Sequence, residues 1–217
     1  MSCAICEKRK EKRFCPAVHG RICPQCCGEQ REVTLDCPSE CVYLEQARQH
    51  ERPRSAAALD QQALVPNLEI GDAFLYEQEQ LILGLSYSLA RSARAGQSIR
   101  DSDLIAALTA LVKSYETLSN SGLHYETPIT NLAHQAIAAD IQRMVEEYRQ
   151  AEQKHTGYTR LRDSDVLRAL VFLLGMGLRR TSGRPRSRAF VDLLLAQFPE
   201  RESAIARPNE ASRIIVP

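Results

Sequence analysis

From Gly71 onward the apolar positions recur at three- and four-residue spacing, and nowhere with the strict alternation of a half-buried strand, so the chain predicts helix after helix. Five are predicted. The first runs from about Asp72 to Ala95 and carries Phe74, Leu75, Leu81, Leu85 and Leu89. The second starts at Asp101-Ser102-Asp103, carries Leu104, Ile105, Leu108, Leu111, Val112, Tyr115 and Leu118, and stops at Asn120-Ser121-Gly122. Thr127-Pro128 predicts the start of the third, with threonine as cap and proline at the first helical position. It continues through Leu132, Ile137, Ile141, Met144, Val145 and Tyr148 to a stop near Gly157. The fourth starts at Asp163-Ser164-Asp165 and is apolar nearly all round from Val166 to Leu178, which makes it the central helix. A short fifth spans about Ser187 to Phe198, before Pro199.

One stretch occurs twice: Ile99 to Leu108 reads IRDSDLIAAL and Leu161 to Leu170 reads LRDSDVLRAL. Each copy follows a long helix and a glycine-containing break. The pattern predicts two copies of a helical hairpin, against the alternative of two independent uses of one capping sequence. The repeated Arg-Asp-Ser-Asp is read as capping rather than as a metal or phosphate site, because Asp in a first helical turn satisfies free N–H groups and complements the helix dipole.

Before Gly71 this periodicity is lost. Arg52 to Asn67 has a proline near each end and reads as a linker, which divides the chain into a module at 1–51, a linker at 52–70, a helical bundle at 71–198 and a flexible tail at 199–217. The tail has no helical period; its end, Arg213 to Pro217, either frays or docks as a short peptide on a partner. The first module is too poor in apolar residues to offset the entropy of ordering it, so crosslinks must supply the difference.

All eight cysteines lie there: Cys3, Cys6, Cys15, Cys23, Cys26, Cys27, Cys37 and Cys41. The residues from Met1 to Phe14 are polar and rich in Lys and Arg, with no apolar signal segment, so a reduced, cytoplasmic setting and metal thiolates are expected rather than disulfides. Cys3/Cys6 and Cys23/Cys26 have the C-x2-C spacing that suits tetrahedral zinc. Pro38 and Ser39 read as the start of a helix, which puts Cys41 in its first turn, where the dipole favours a thiolate. Eight thiolates make two four-sulfur sites, hence two zinc ions per chain. Sequential filling is one arrangement, and a second recruits His19 and leaves one of Cys26 and Cys27 unused. The favoured one is a cross-brace, with Cys3, Cys6, Cys23 and Cys26 on one ion and Cys15, Cys27, Cys37 and Cys41 on the other. An iron–sulfur cluster and a redox switch at the adjacent Cys26 and Cys27 are the competing uses of these thiols.

This order of close cysteine pairs, ending in a knuckle and a helix-borne ligand, resembles the cross-brace or treble-clef zinc modules, such as HIT-type and MYND-type fingers, over about 45 N-terminal residues. Those families usually place a C-x2-C after the position of Cys15 and a histidine near the end. Here Cys15 has no such partner and the last pair is Cys37 and Cys41. The resemblance implies docking onto other proteins. It does not extend to residues 52–217.

Charge changes the picture in two places. Lys8, Arg9, Lys10, Lys12 and Arg13 form a basic run beside the first cysteines, suited either to nucleic acid or to neutralising zinc–thiolate dianions. Arg179, Arg180, Arg184, Arg186 and Arg188 form a second, between the last two helices, suited to phosphates, an acidic partner or the acidic middle of the chain. Residues 51–153 hold 8 basic against 14 acidic side chains, and residues 154–217 hold 12 against 6, so these parts are expected to attract one another within or between molecules.

Catalytic chemistry is not signalled. His19, His50, His124, His134 and His155 are scattered, Glu152-Gln-Lys-His155 is an unpaired di-iron-like fragment, and there is no glycine-rich phosphate loop. No stretch is long and apolar enough to span a membrane. The expectation is a mostly α, non-enzymatic protein: a double-zinc module followed by an all-α bundle of about five helices. It acts as a protein-interaction adaptor or regulator, alone or as a homo-oligomer. The alternatives are nucleic-acid binding through residues 8–13 and 179–188, and thiol-redox sensing at Cys26/Cys27.

Overall fold

The computed structural model describes residues 1–56, 64–65, 68–122 and 127–199. Much of the expected linker, His124, and the tail from 200 onward, including Arg213 to Pro217, lie outside the described residues.

The N-terminal module is small and irregular. An antiparallel hairpin, β1 (Arg13–Cys15) and β2 (Gly20–Ile22), pairs Arg13 with Ile22 and Cys15 with Gly20. A single 3-10 turn, Pro16–Val18, joins the strands. The helix α1 (Pro24–Gln30) follows, and a second helix, α2 (Val42–Ala56), leads out of the module. The expected linker therefore begins as helix, and its far part lies along the bundle: Val65 is buried in the bundle core, with Leu64, Leu68 and Ile70 packed on it.

Six helices build the bundle among the described residues: α3 (Asp72–Glu77), α4 (Glu79–Ala95), α5 (Asp101–Ser121), α6 (Leu132–Thr156), α7 (Asp163–Arg180) and α8 (Ala189–Gln197). The protein is mostly helical, as the hydrophobic periodicity predicts. The first predicted helix is two, however, broken at Gln78, whose φ of −106° and ψ of 21° leave the helical region. The third begins later than Thr127-Pro128 indicates. Thr127 directs its N–H to the Ser114 hydroxyl oxygen (3.0 Å), the Ser114 hydroxyl donates to the Thr127 hydroxyl oxygen (3.2 Å), and Asn131 caps the helix instead.

α7 is the hub. Val166, Ala169, Leu170, Val171 and Leu173 are fully buried, and α7 packs on α5, α4, α8 and α2. The most extensive pairings put like against like: α5 on α7, which carry the two IRDSD/LRDSD copies, and α4 on α6, which precede them. Both copies cap in the same way. Arg100 and Arg162 hold the cap position, and their N–H groups donate to Asp103 (2.8 Å) and Asp165 (3.3 Å). Where α7 crosses α8, Gly177 admits the Phe190 ring; a methyl group there would meet two ring carbons at 3.0 Å.

Candidate metal centre

Three local structures converge on one point. Cys3 to Glu7 forms a tight turn in which the Cys3 N–H bonds the Arg9 carbonyl (2.8 Å), the Glu7 N–H bonds the Cys3 carbonyl (2.8 Å), and Glu7 takes a positive φ of 55°. The hairpin fixes this turn against β2, since the Ala4 N–H bonds the Arg21 carbonyl (3.0 Å). Cys23 then caps α1 ahead of Pro24, with Cys26 in the first turn.

The sulfurs of Cys3, Cys6, Cys23 and Cys26 consequently all lie within 4.8 Å of one another. A zinc ion with Zn–S bonds of about 2.3 Å requires sulfur–sulfur edges of about 3.8 Å, so the cluster needs only a small contraction to close on one ion. Backbone N–H groups already point at the sulfurs: Cys23 N–H donates to Cys3 Sγ (3.2 Å) and Cys26 N–H to Cys23 Sγ (3.4 Å).

The electrostatics favour thiolates at two of the four positions. Burial would push the Cys3 thiol up, but N–H donors from Cys6, Cys23 and Ile5 outweigh it and hold it at about 6. The Cys26 N–H likewise lowers Cys23 against the effect of its burial. Cys26 goes the other way, pushed up to about 12 by burial and by the sulfurs around it, so without an ion it retains its proton. Arg9 bonds the Cys23 sulfur and feels the charge of Cys6, Cys23 and Cys26. That residue of the basic run therefore neutralises the site. Arg13 instead stacks 4.5 Å above the Tyr43 ring, while Lys8, Lys10 and Lys12 are exposed.

The other four cysteines are gathered less closely and do not form a comparable ligand set among the described residues. Cys15 and Cys27 are buried in the same small core around Ile22. Cys37 is half-buried, its thiol pushed up by that burial with smaller contributions from Cys15 and Cys41, and it accepts a bond from the Glu32 backbone. Cys41 immediately precedes α2 rather than standing in its first turn, with the Leu44 and Glu45 N–H groups on its carbonyl; Ser39, expected as cap, turns its hydroxyl to Glu40. His19 lies at the tip of the hairpin, exposed and with φ 48°, away from the four clustered sulfurs.

The arginine-rich segment is where the module meets the bundle. Arg184 donates to the carbonyls of Gly28 (2.9 Å) and Arg31 (2.6 Å), closing the C-terminal end of α1. Arg186 pairs with Asp36, and its N–H bonds the Glu32 carbonyl (2.8 Å). Arg188 donates to the Ile99 carbonyl (3.1 Å), and its guanidinium lies 3.7 Å from Asp192. Arg179 and Arg180 end α7. The partners of residues 184 and 186 thus belong to the cysteine module rather than to the acidic middle of the chain.

At the centre of this contact is Glu32, a residue that sequence reasoning passed over. It is 2% exposed and adopts a φ of 53°. Its carboxylate accepts from Arg48 on α2 (2.9 Å) and from the Ser182 hydroxyl (2.8 Å), and Arg48 reaches on to Asp192 of α8 (3.2 Å). Arg100, at the start of α5, pairs with Asp36 (3.0 Å). Nothing in the local sequence around Glu32 marks it, because all its side-chain partners are brought in by the tertiary fold.

Among the described residues no helix is long and apolar enough to cross a membrane. Comparison with known protein families, with curated proteins and with solved structures finds no match to this chain.

Proposed function

We propose that the chain is a non-enzymatic zinc protein in which a metal-folded module is fastened to a helical bundle as a protein-interaction adaptor or regulator. The observation that carries this reading is the convergence of four thiols, from two C-x2-C turns, within 4.8 Å. The order of turn, hairpin and helix-borne ligand pair is that of a treble clef, in which metal binding is itself folding energy. A second ion is held by Cys15, Cys27, Cys37 and Cys41, closing the cross-brace when its ligands contract around it. Cys15 and Cys27 share one buried core with the first set, and Cys37 feels the charges of Cys15 and Cys41, which supports this assignment.

Protein docking is favoured over nucleic-acid binding because Arg9, Arg184, Arg186 and Arg188 are engaged within the molecule, which leaves a sparser cationic surface than a phosphate backbone requires. Elemental analysis of the purified chain tests the metal reading. Two zinc ions per chain support it, one confines the metal to Cys3, Cys6, Cys23 and Cys26, and iron in place of zinc overturns it.

A further inference from the structure

The turn joining α7 to α8 holds the cysteine module in part through one hydroxyl that a single modification converts from a donor into an anion. Ser182 donates its Oγ–H to the Glu32 carboxylate (2.8 Å); Glu32 is buried, while Ser182 itself stays partly exposed at the surface. We propose that Ser182 is a phosphorylation site, and that its phosphate releases the cysteine module from the bundle. The switch goes beyond the adaptor reading, since it acts on the contact between module and bundle whatever the partner.

The residues before Ser182 are of the kind that an arginine-directed serine kinase reads. Arg179 and Arg180 stand three and two residues ahead of the hydroxyl, and such kinases select their acceptors by basic side chains at those places. Arg180 is exposed and ends α7, and Gly183, also exposed, follows with a φ of 70°, so opening the last turn of α7 extends the segment for a kinase groove. The neighbouring hydroxyls are less suited. Ser187 also follows arginines, at 184 and 186, but it is 1% exposed with its hydroxyl on Asp101 (2.7 Å). Thr181 accepts the Gly183 N–H (3.2 Å), a bond within the turn itself.

In the transfer, Oγ bonds the γ-phosphorus of a nucleoside triphosphate as the bridging P–O bond breaks, the nucleoside diphosphate leaves and the hydroxyl proton passes to the kinase's catalytic carboxylate. The product carries a charge of about −1.5 to −2 and has no proton to give Glu32. Arg48 already serves both Glu32 (2.9 Å) and Asp192 (3.2 Å), so this guanidinium faces two carboxylates before any phosphate is added. Arg184, two residues on, bonds the carbonyls of Gly28 and Arg31 instead. A phosphate at 182 therefore repels Glu32 and draws Arg184 off the end of α1, and both effects undo the contact. The docked module in turn shields the hydroxyl, so loosening it exposes Ser182.

The zinc-loaded full chain, incubated with ATP and the catalytic subunit of cyclic-AMP-dependent protein kinase, tests the proposal by phosphosite mapping and hydrogen exchange, with zinc measured on each sample. Phosphate is expected on Ser182 and not on Ser187. The Arg186 N–H, which bonds the Glu32 carbonyl (2.8 Å), should lose protection at least about tenfold while α5 and α7 keep theirs and zinc content is unchanged. Ser182→Ala should stay at its untreated protection after the same incubation, and Glu32→Ala should be phosphorylated faster than the native chain. Ser182→Asp should lose part of the protection with no kinase present. A chain that takes no phosphate at Ser182, or takes it and keeps the Arg186 N–H protected, would overturn the proposal. So would an equal loss of protection in the treated Ser182→Ala chain, which would place the cause at another phosphate.

Discussion

Asp101 accepts the N–H groups of Phe190 and Val191 on one carboxylate oxygen, each at 3.0 Å, and the Ser187 hydroxyl on the other at 2.7 Å, entirely out of contact with water. Its own N–H bonds the Ser187 carbonyl (3.0 Å), so one aspartate fixes the start of α5 and caps α8. Asp163 occupies the same place in the second IRDSD-like copy and pairs with Arg149 at a partly exposed surface. Both aspartates were legible in the sequence as first-turn acids, but the capping of a distant helix by only one of them was not, because it depends on where α8 lands. Asp101→Ala leaves three donors unmatched in the interior and is expected to cost about 3 kcal/mol. Asp163→Ala should cost no more than about 1 kcal/mol. Urea unfolding of the two variants compares them directly; equal losses would contradict the asymmetry.

At the scale of elements, the segment joining α7 to α8 acts as a clasp on the cysteine module through residues 182, 184 and 186, with Glu32 and Asp36 on the other side. The helices themselves were readable, since α5 and α7 present strong apolar stripes behind matching caps and Gly122 and Gly157 end α5 and α6 with φ of 67° and 82°. Thr127-Pro128 misled for a local reason: Ser114 offers Thr127 a tertiary bond, and the cap passes to Asn131. The arginine run was visible as charge, but its partners were not, because Glu32 lies far from it in sequence and near it only after folding. Glu32→Ala removes a buried carboxylate from Arg48 and Ser182 and is expected to destabilise the chain by about 3 kcal/mol. In a double-mutant cycle with Arg48→Ala the two losses should not add; additive losses would show that the pair is not coupled.

At the scale of the whole molecule, the described residues form two cores of unequal strength. The bundle core joins α4 to α8 through large aliphatic side chains, whereas the module's buried core is cysteine and Ile22. Five of its six buried members are cysteines, so metal bound by them would provide most of the module's order. The two C-x2-C pairs made the first site legible, because each pair is local in sequence. Cys15, Cys27, Cys37 and Cys41 come singly from β1, α1 and the approach to α2, and among the described residues they are not gathered as the first four are. Removal of metal by a chelator is expected to abolish hydrogen-exchange protection in β1, β2 and α1 while leaving α5 and α7 protected. The Arg186 N–H should lose protection with the module, since its acceptor is the Glu32 carbonyl. A bundle that unfolds together with the module would show that the cores are not separate.

In the proposed zinc protein, cysteine sulfur from the first module holds the ion. Zinc K-edge X-ray absorption of the purified chain tests it most directly. Four sulfur neighbours at about 2.3 Å are predicted; a shell containing nitrogen or oxygen ligands, or the absence of zinc, would contradict the account.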